Sequence, residues 1–342
     1  MDNQEGVECM KVSIYDVAKR AGVSVVTVSR VINNATTVRG TSKAKVMKAI
    51  EELDYQPSAA ARSLAKGKTN VIGMLVPDMT DPFLMEVVQT VDLELEKRGY
   101  FLALSVIGFN DTDSTERSNF IFQQDRVDGI LILTPLYEED YVLSLKKKQI
   151  PFVIMDNQMY PYTVPSIVVD NFKGGYDVTK HLIDTNHVRI SHIGGPTYIQ
   201  SANERSEGFV KALKEIGQEP FKMVRTEFSI ESGYDFMTQW IDEGQLPDAV
   251  FAADDHIAFG VIDALRCRGL SVPEDVSVIG FDDHPFSAKL HPHLTTVKQP
   301  AHEIGLRGVE SLLKIMSGDN KRNIIIKLEP QLVKRESVIT RK

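Results

Sequence analysis

Only 2 cysteines, Cys9 and Cys267, occur in the 342 residues. That is too few for a disulfide framework or a cysteine-ligated metal cluster, so both are read as free thiols. No apolar run reaches the ~18 residues of a membrane span. The polar, acidic opening MDNQEGVECMK lacks the pattern of a secretory leader. The expected location is the cytoplasm, with no membrane partner. Catalytic signatures are missing as well: there is no GxGxxG, P-loop, GxSxG, HExxH or CxxC. GGPTY at 194–198 is too loose for a phosphate cradle, and the DDH triplets at 254–256 and 282–284 and HPH at 291–293 lack metal-ligand spacing. No metal, cofactor or catalytic residue is expected.

What is present is a split of charge. Net charge is −8. Residues 11–68 hold 11 Lys and Arg against 4 Asp and Glu, whereas residues 69–342 carry a net −12. A basic head on an acidic body points to a polyanion at the head, or merely to a solvated charged face.

The head has local order that decides between these. Ser13-x-x-Asp16 is a capping box for a helix with Ile14, Val17, Ala18 and Ala21 inward. Gly22 suits a left-handed stop, and Ser24 can cap a second helix whose buried side is Val28, Val31 and Ile32. A third helix is expected from about Ser42 to Leu53, with Val46, Ala49, Ile50 and Leu53 inward. Three short helices with a tight turn after the first read as a helix-turn-helix. The outer face of the second helix is then Val25, Val26, Ser29, Arg30 and Asn33. Such a helix lies in the DNA major groove, where an apolar side chain can meet thymine methyls and Arg30 can grip a guanine. Tyr15, Ser24, Thr27, Ser29 and Asn33 suit phosphates. A small helical bundle with two stray surface valines is the bland alternative.

YQPSAAARSLAKGKTN (55–70) follows, with Pro57 at a helix start and Gly67 at its end. A helix this short is marginal alone in water. Its one large apolar side chain, Leu64, could wedge into a minor-groove base step, or could dock a flexible linker on the next domain. The residues alone leave both readings open.

IYDVAKRAGVSVVTVSRVIN, YQPSAAARSLA, RVDGILIL and VSVIGFDD together resemble the LacI/GalR family of bacterial transcription regulators, over nearly the whole chain from about residue 12. The resemblance implies a homodimer on a palindromic double-stranded operator, with paired linker helices inserting a leucine, by position Leu64. It also implies residues 1–12 as an extension, with Met10 the expected natural start. The head would span 13–56 and the linker 57–69.

The body, 70–342, alternates apolar strands (NVIGMLVP, YFLALSVI, GILILTP, PFVIMD, RISHIGG, DAVFAAD, VSVIGFD) with helical stretches such as 83–98, 172–185 and 203–216. That is a doubly wound α/β pattern, with enough strands for two lobes. The family resembles the periplasmic sugar-binding fold, in which the chain crosses between lobes three times. The lobes are then expected at about 70–168 with 298–327, and 169–297 with 328–342. Open α/β sheets bind ligands beyond the carboxyl ends of their strands. Asp78, Asp156, Asp254 and Asp282 each fall near such an end, with Arg205 as the cation. The resemblance implies effector contacts at Arg205 and Asp282, aromatic packing by Phe83 and Phe228, and Asp254 where a small polar residue often stands. A strand-end carboxylate with no ligand remains a strong alternative for Asp78, as a core aromatic does for Phe228.

The pattern departs from the family at Asn186, where glycine commonly precedes the histidine, and at Arg39, where a small hydroxyl is frequent. The C-terminal LVKRESVITRK carries no heptad segment, so a dimer is expected rather than a tetramer. The expectation is a repressor modulated by a small effector, a sugar or its derivative. The rivals are a regulator controlled by a protein partner, and a sugar-binding or sugar-modifying α/β protein fused to a DNA-binding head.

Overall fold

The computed structural model describes residues 12–32, 35, 37–55, 68–107, 126–135, 139–156, 158, 164–318 and 325–342. The chain divides into two units, one of residues 1–70 with 125–127 and one holding the rest. In the first, helices α1 (Ile14–Ala21), α2 (Val25–Ile32) and α3 (Gly40–Glu52) enclose a small core of Val17, Ala18, Ala21, Val28, Val31, Val46, Ala49 and Tyr55. The capping box forms in both directions: Asp16 Oδ2 accepts from the Ser13 backbone N–H at 2.9 Å, and the Asp16 N–H donates to Ser13 Oγ. Gly22 ends α1 at φ +67°, a left-handed conformation that a side chain disfavours. Helix α3 starts two residues earlier than the sequence pattern suggests, after Arg39, which makes no side-chain cap.

Loss of the cap gives an expected result. Ser13→Ala should cost about 0.5–2 kcal/mol of local helix stability. Amide exchange of the α1 residues in the intact chain should then quicken by roughly 2- to 30-fold. An unchanged rate would show that the cap contributes nothing.

The second unit is built on two parallel sheets. The larger uses β1 (Val71–Val76), β2 (Phe101–Val106), β3 (Gly129–Leu133), β4 (Phe152–Met155), β5 (Ser166–Val169) and β11 (Ile325–Leu328) in the order β11-β5-β4-β3-β1-β2. The smaller uses β6 (Ile190–Gly194), β7 (Met223–Arg225), β8 (Ala249–Ala252) and β9 (Ser277–Ile279) in the order β7-β6-β8-β9. An antiparallel pair, β10 (Thr296–Lys298) and β12 (Gln331–Val333), stands apart from both.

Helices α4 (Pro82–Glu96) and α10 (Ala301–Met316) cover the larger sheet, and Val87, Val91, Leu95, Ile304 and Leu312 pack on Ile72, Leu131, Val153 and Ile167. Helix α5 (Glu139–Lys148) connects β3 to β4. On the smaller sheet, α6 (Asn171–Asp184) and α7 (Gln200–Glu215) share a core with Phe209, Phe251 and Phe281. Helices α8 (Ile230–Asp242) and α9 (Asp255–Cys267) bury Trp240, Ile257 and Val261 against Val250 and Val278.

Gly175 lets α6 touch the α7 backbone, since a Cβ there would lie 2.0 Å from the Arg205 carbonyl oxygen. Asn186 ends the turn after α6 at φ +64°, which asparagine tolerates, and its side-chain amide donates to the Arg341 carbonyl at 2.8 Å. The strands β5, β7, β10, β11 and β12 had no place among the strand candidates read from sequence. Each has only 3 or 4 residues, too few for a clear period. No helix among the described residues is long and apolar enough to cross a membrane.

Candidate functional site: an outward helix face and an acidic cleft

On the head, α2 carries Val26, Ser29 and Arg30 at 3- and 4-residue spacing, so they share a face. Val26 is 60% exposed and Arg30 is exposed. Tyr15, on α1, is 71% exposed. Ser24 is exposed, and its hydroxyl lies 2.9 Å from that of Thr27 while accepting the Thr27 N–H, so it caps α2. Val25 departs from the sequence reading. It is half-buried and packs on the head core, because Val25, Val28 and Ile32 follow one another at 3 and 4 residues and form one stripe. Ile32 is likewise half-buried rather than enclosed. Asn33 and Leu64 lie outside the described residues.

On the body, strand order reverses between β1 and β3 in one sheet and between β6 and β8 in the other. Those switch points are where α/β sheets leave a crevice beyond the carboxyl ends. A cleft of about 340 Å³ opens there, within the range of small-ligand sites. Asp78, Asp156, Asp254, Asp282, Arg205, Phe83 and Phe228 all line it.

Their engagements differ. Asp78 is taken up locally, accepting from the Thr80 N–H at 2.8 Å and the Thr80 hydroxyl at 2.6 Å. Asp254 caps α9, with Oδ1 accepting from the Ile257 N–H at 2.9 Å and Oδ2 lying 3.2 Å from His256 Nδ1. That contact raises the His256 pKa above its ordinary value. Asp156 is buried and accepts from the Thr134 hydroxyl at 3.0 Å; burial pushes its carboxyl up.

Arg205 is 4% exposed, and each of its three guanidinium nitrogens donates to the protein. Its Nε donates to Asn171 Oδ1 at 3.0 Å, Nη1 to the Ala253 carbonyl at 2.6 Å and Nη2 to Asp282 Oδ1 at 3.4 Å. Its guanidinium lies 3.7 Å from the centroid of the Phe281 ring. Gln299 also donates to Asp282 Oδ1, at 2.6 Å. Burial pushes the Asp282 carboxyl up to about 6, against the opposing pull of Arg205. Thr134, Asp156, Asp282 and Asp283 all have positive φ, between 48° and 105°. Side chains rarely adopt that conformation, and such strain collects at ligand sites.

Sequence reading missed several lining residues. Asp81 caps α4 ahead of Pro82, a local signal that was available. His256 and His284 belong to the DDH triplets, a sequence pattern that speaks only to metal ligation. Thr134, Gln158, Ser201 and Gln299 also line the cleft; as neutral residues far apart in sequence, they carry no local mark. Gln158 links the end of β4 to the start of α7 by accepting from the Ser201 N–H at 2.9 Å. Asp255, next to the cleft, accepts from the His284 N–H and the Ser287 and Thr296 hydroxyls, and burial pushes its carboxyl up to about 8.

A three-helix DNA-reading head joined in one chain to an α/β body with a small-ligand crevice defines a class: transcription regulators that carry their own sensor. Residues 13–58 match the family model for bacterial regulatory proteins of the lacI family, and residues 179–338 match a periplasmic binding protein-like domain. The chain is 37% identical over 332 residues to the HTH-type transcriptional repressor PurR of Pasteurella multocida, covering 96% of this chain and 99% of that one. Among solved structures, the lac repressor dimer bound to operator and the anti-inducer ONPF superposes with a TM-score of 0.85 at 29% identity, covering 96% and 99% of the two chains. A complex of the regulator CelR with cellobiose superposes with a TM-score of 0.73 at 30% identity, covering 95% and 99%. This chain belongs to the LacI family of bacterial transcription regulators. It is a sequence-specific DNA-binding regulator and not an enzyme.

Proposed function

We propose that the chain is a homodimeric repressor whose operator affinity is set by a neutral polyhydroxyl effector, a sugar or sugar derivative, held in the acidic cleft. The observation that carries this reading is the lining itself. Asp78, Asp81, Asp156, Asp254 and Asp282 converge there, and each nitrogen of the one arginine among them already donates to the protein. The Gln299 carbonyl oxygen is buried without a partner, and both protein bonds to Asp282 fall on Oδ1. A site rich in acceptors suits ligand hydroxyls, which donate. Phe83 and Phe228 supply the apolar surface that a sugar ring needs on its C–H faces. A sugar phosphate would meet like charge. A thermal-shift screen pairing neutral sugars with their phosphates should stabilise the chain with a neutral member only. Stabilisation by the phosphates alone would overturn the effector class.

The same geometry sets a pH dependence. Asp282, with its pKa near 6, is ionised at pH 7.5 and can accept a hydroxyl, but is largely protonated at pH 5. Burial at Asp156 and the Asp254 contact at His256 shift both groups upward, toward their protonated and weaker-accepting forms. Effector affinity should therefore fall as pH drops through about 6. A constant affinity from pH 7.5 to 5, measured by calorimetry, would contradict the role of Asp282.

At the head, α2 would enter the major groove, with Val26 and Arg30 on base edges. Tyr15, Ser24, Thr27, Ser29 and Asn33 would lie on phosphates, and Leu64 would wedge at the operator centre. The dimer reading draws support from edge strand β2, where Phe101, Leu104 and Val106 stay exposed on the isolated chain, and from the dimeric state of the lac repressor relative. Sedimentation of the full chain at micromolar concentration tests it.

A further inference from the structure

We propose that His291, His293 and Glu336 form a binding site for a divalent transition-metal ion of the zinc type, outside the effector cleft. The three side chains come from two distant segments, the loop between β9 and β10 and the stretch after β12. Their ligand atoms all lie within 4.8 Å of one another. The two imidazoles lie against each other with ring centroids 4.4 Å apart, and Glu336 reaches both, with Oε1 at 3.3 Å from His293 Nδ1 and Oε2 at 3.6 Å from His291 Nδ1. A tetrahedral zinc with bonds of about 2.0–2.1 Å holds its ligand atoms about 3.3 Å apart, so these separations need little closure.

The carboxylate is already aimed. The His293 N–H donates to Glu336 Oε2 at 3.1 Å, and the Glu336 N–H donates to the His293 carbonyl at 3.0 Å. The neighbouring Arg335 holds the two segments together through Asp283 at 2.5 Å and the Leu294 carbonyl at 2.8 Å. Two imidazole nitrogens with one carboxylate favour zinc, cobalt or nickel over magnesium or calcium, which prefer oxygen sets. The solvent exposure of His291 leaves room for water to complete the shell. An ion there would staple the loop that begins at Asp282 and His284 to the C-terminal segment. The plain alternative is two histidines in simple ion pairs with Glu336.

The test uses cobalt(II) as an optical probe of the full chain, with zinc competition. Expected are d–d bands of tetrahedral intensity saturating at one ion per chain, displaced by zinc and indifferent to magnesium. Losing even an outer-shell partner costs metal sites about 10–100-fold in affinity. His291→Ala and Glu336→Gln, both at exposed positions, should therefore weaken binding by more than about tenfold while leaving the far-UV dichroism unchanged. No saturable binding in the wild-type chain would overturn the site. So would bands that survive in both variants, or bands with the thiolate charge transfer expected of the exposed Cys267.

Discussion

Asp282→Ala is expected to abolish the response to effector while leaving basal operator binding nearly unchanged. Allosteric coupling is typically worth ~1–3 kcal/mol, a 5–150-fold change in operator affinity, and the variant should bring that ratio close to one. The physical cause is specific. Asp282 lies three residues beyond the end of β9 with its backbone at φ 105° and presents its carboxylate to the cleft. Without it, Arg205 Nη2 and the Gln299 amide lose an acceptor, and the ligand loses one too. Operator titration with and without a ligand found by thermal shift measures the ratio. A wild-type ratio in the variant would remove Asp282 from the site.

Arg205→Ala should lose the response as well, but at a cost to the fold. It strips donors from Asn171, the Ala253 carbonyl and Asp282 at once and empties the space beside the Phe281 ring, whereas Asp282→Ala removes an acceptor only from Arg205 and Gln299. Its melting temperature should therefore fall well below that of Asp282→Ala, so the Asp282 variant is the cleaner probe of ligand contact.

The second large effect belongs to the head. Arg30→Ala should weaken operator binding by about 1–3 kcal/mol and relax preference at one base pair in each half-site. Random-sequence DNA should lose far less. Arg30 and Val26 are exposed on one face of α2, with the half-buried Ser29 between them at helical spacing. Equal losses on operator and on random DNA would reduce Arg30 to a phosphate contact.

What could be read in advance follows the range of the signal. The capping box, the Gly22 stop and the buried stripes of α1 and α3 are short-range patterns, and each formed. The aspartates of the cleft were legible because parallel strands of clear hydrophobicity announce where their carboxyl ends fall. Val25 was misplaced because it stands beside Val26 in sequence, and its stripe is fixed by Val28 and Ile32 instead. Gln299 and Thr134 were invisible, since each becomes informative only when folding brings it to an aspartate, 17 and 22 residues away. The pairing of Glu336 with His291 and His293 was hidden for the same reason, across 43 residues for His293. Arg205 was legible as a cation, but its bonds to Asn171, the Ala253 carbonyl and Asp282 were not, since those partners lie 34, 48 and 77 residues away.

The central claim is that a small ligand in the cleft governs how tightly the head holds DNA. The most direct measurement is the anisotropy of a labelled operator titrated with the wild-type chain, first alone and then with a neutral sugar at a concentration that saturates the thermal shift. The account predicts that the operator dissociation constant moves by 5–150-fold between the two titrations. Identical titrations in the presence of a cleft-saturating sugar would contradict it.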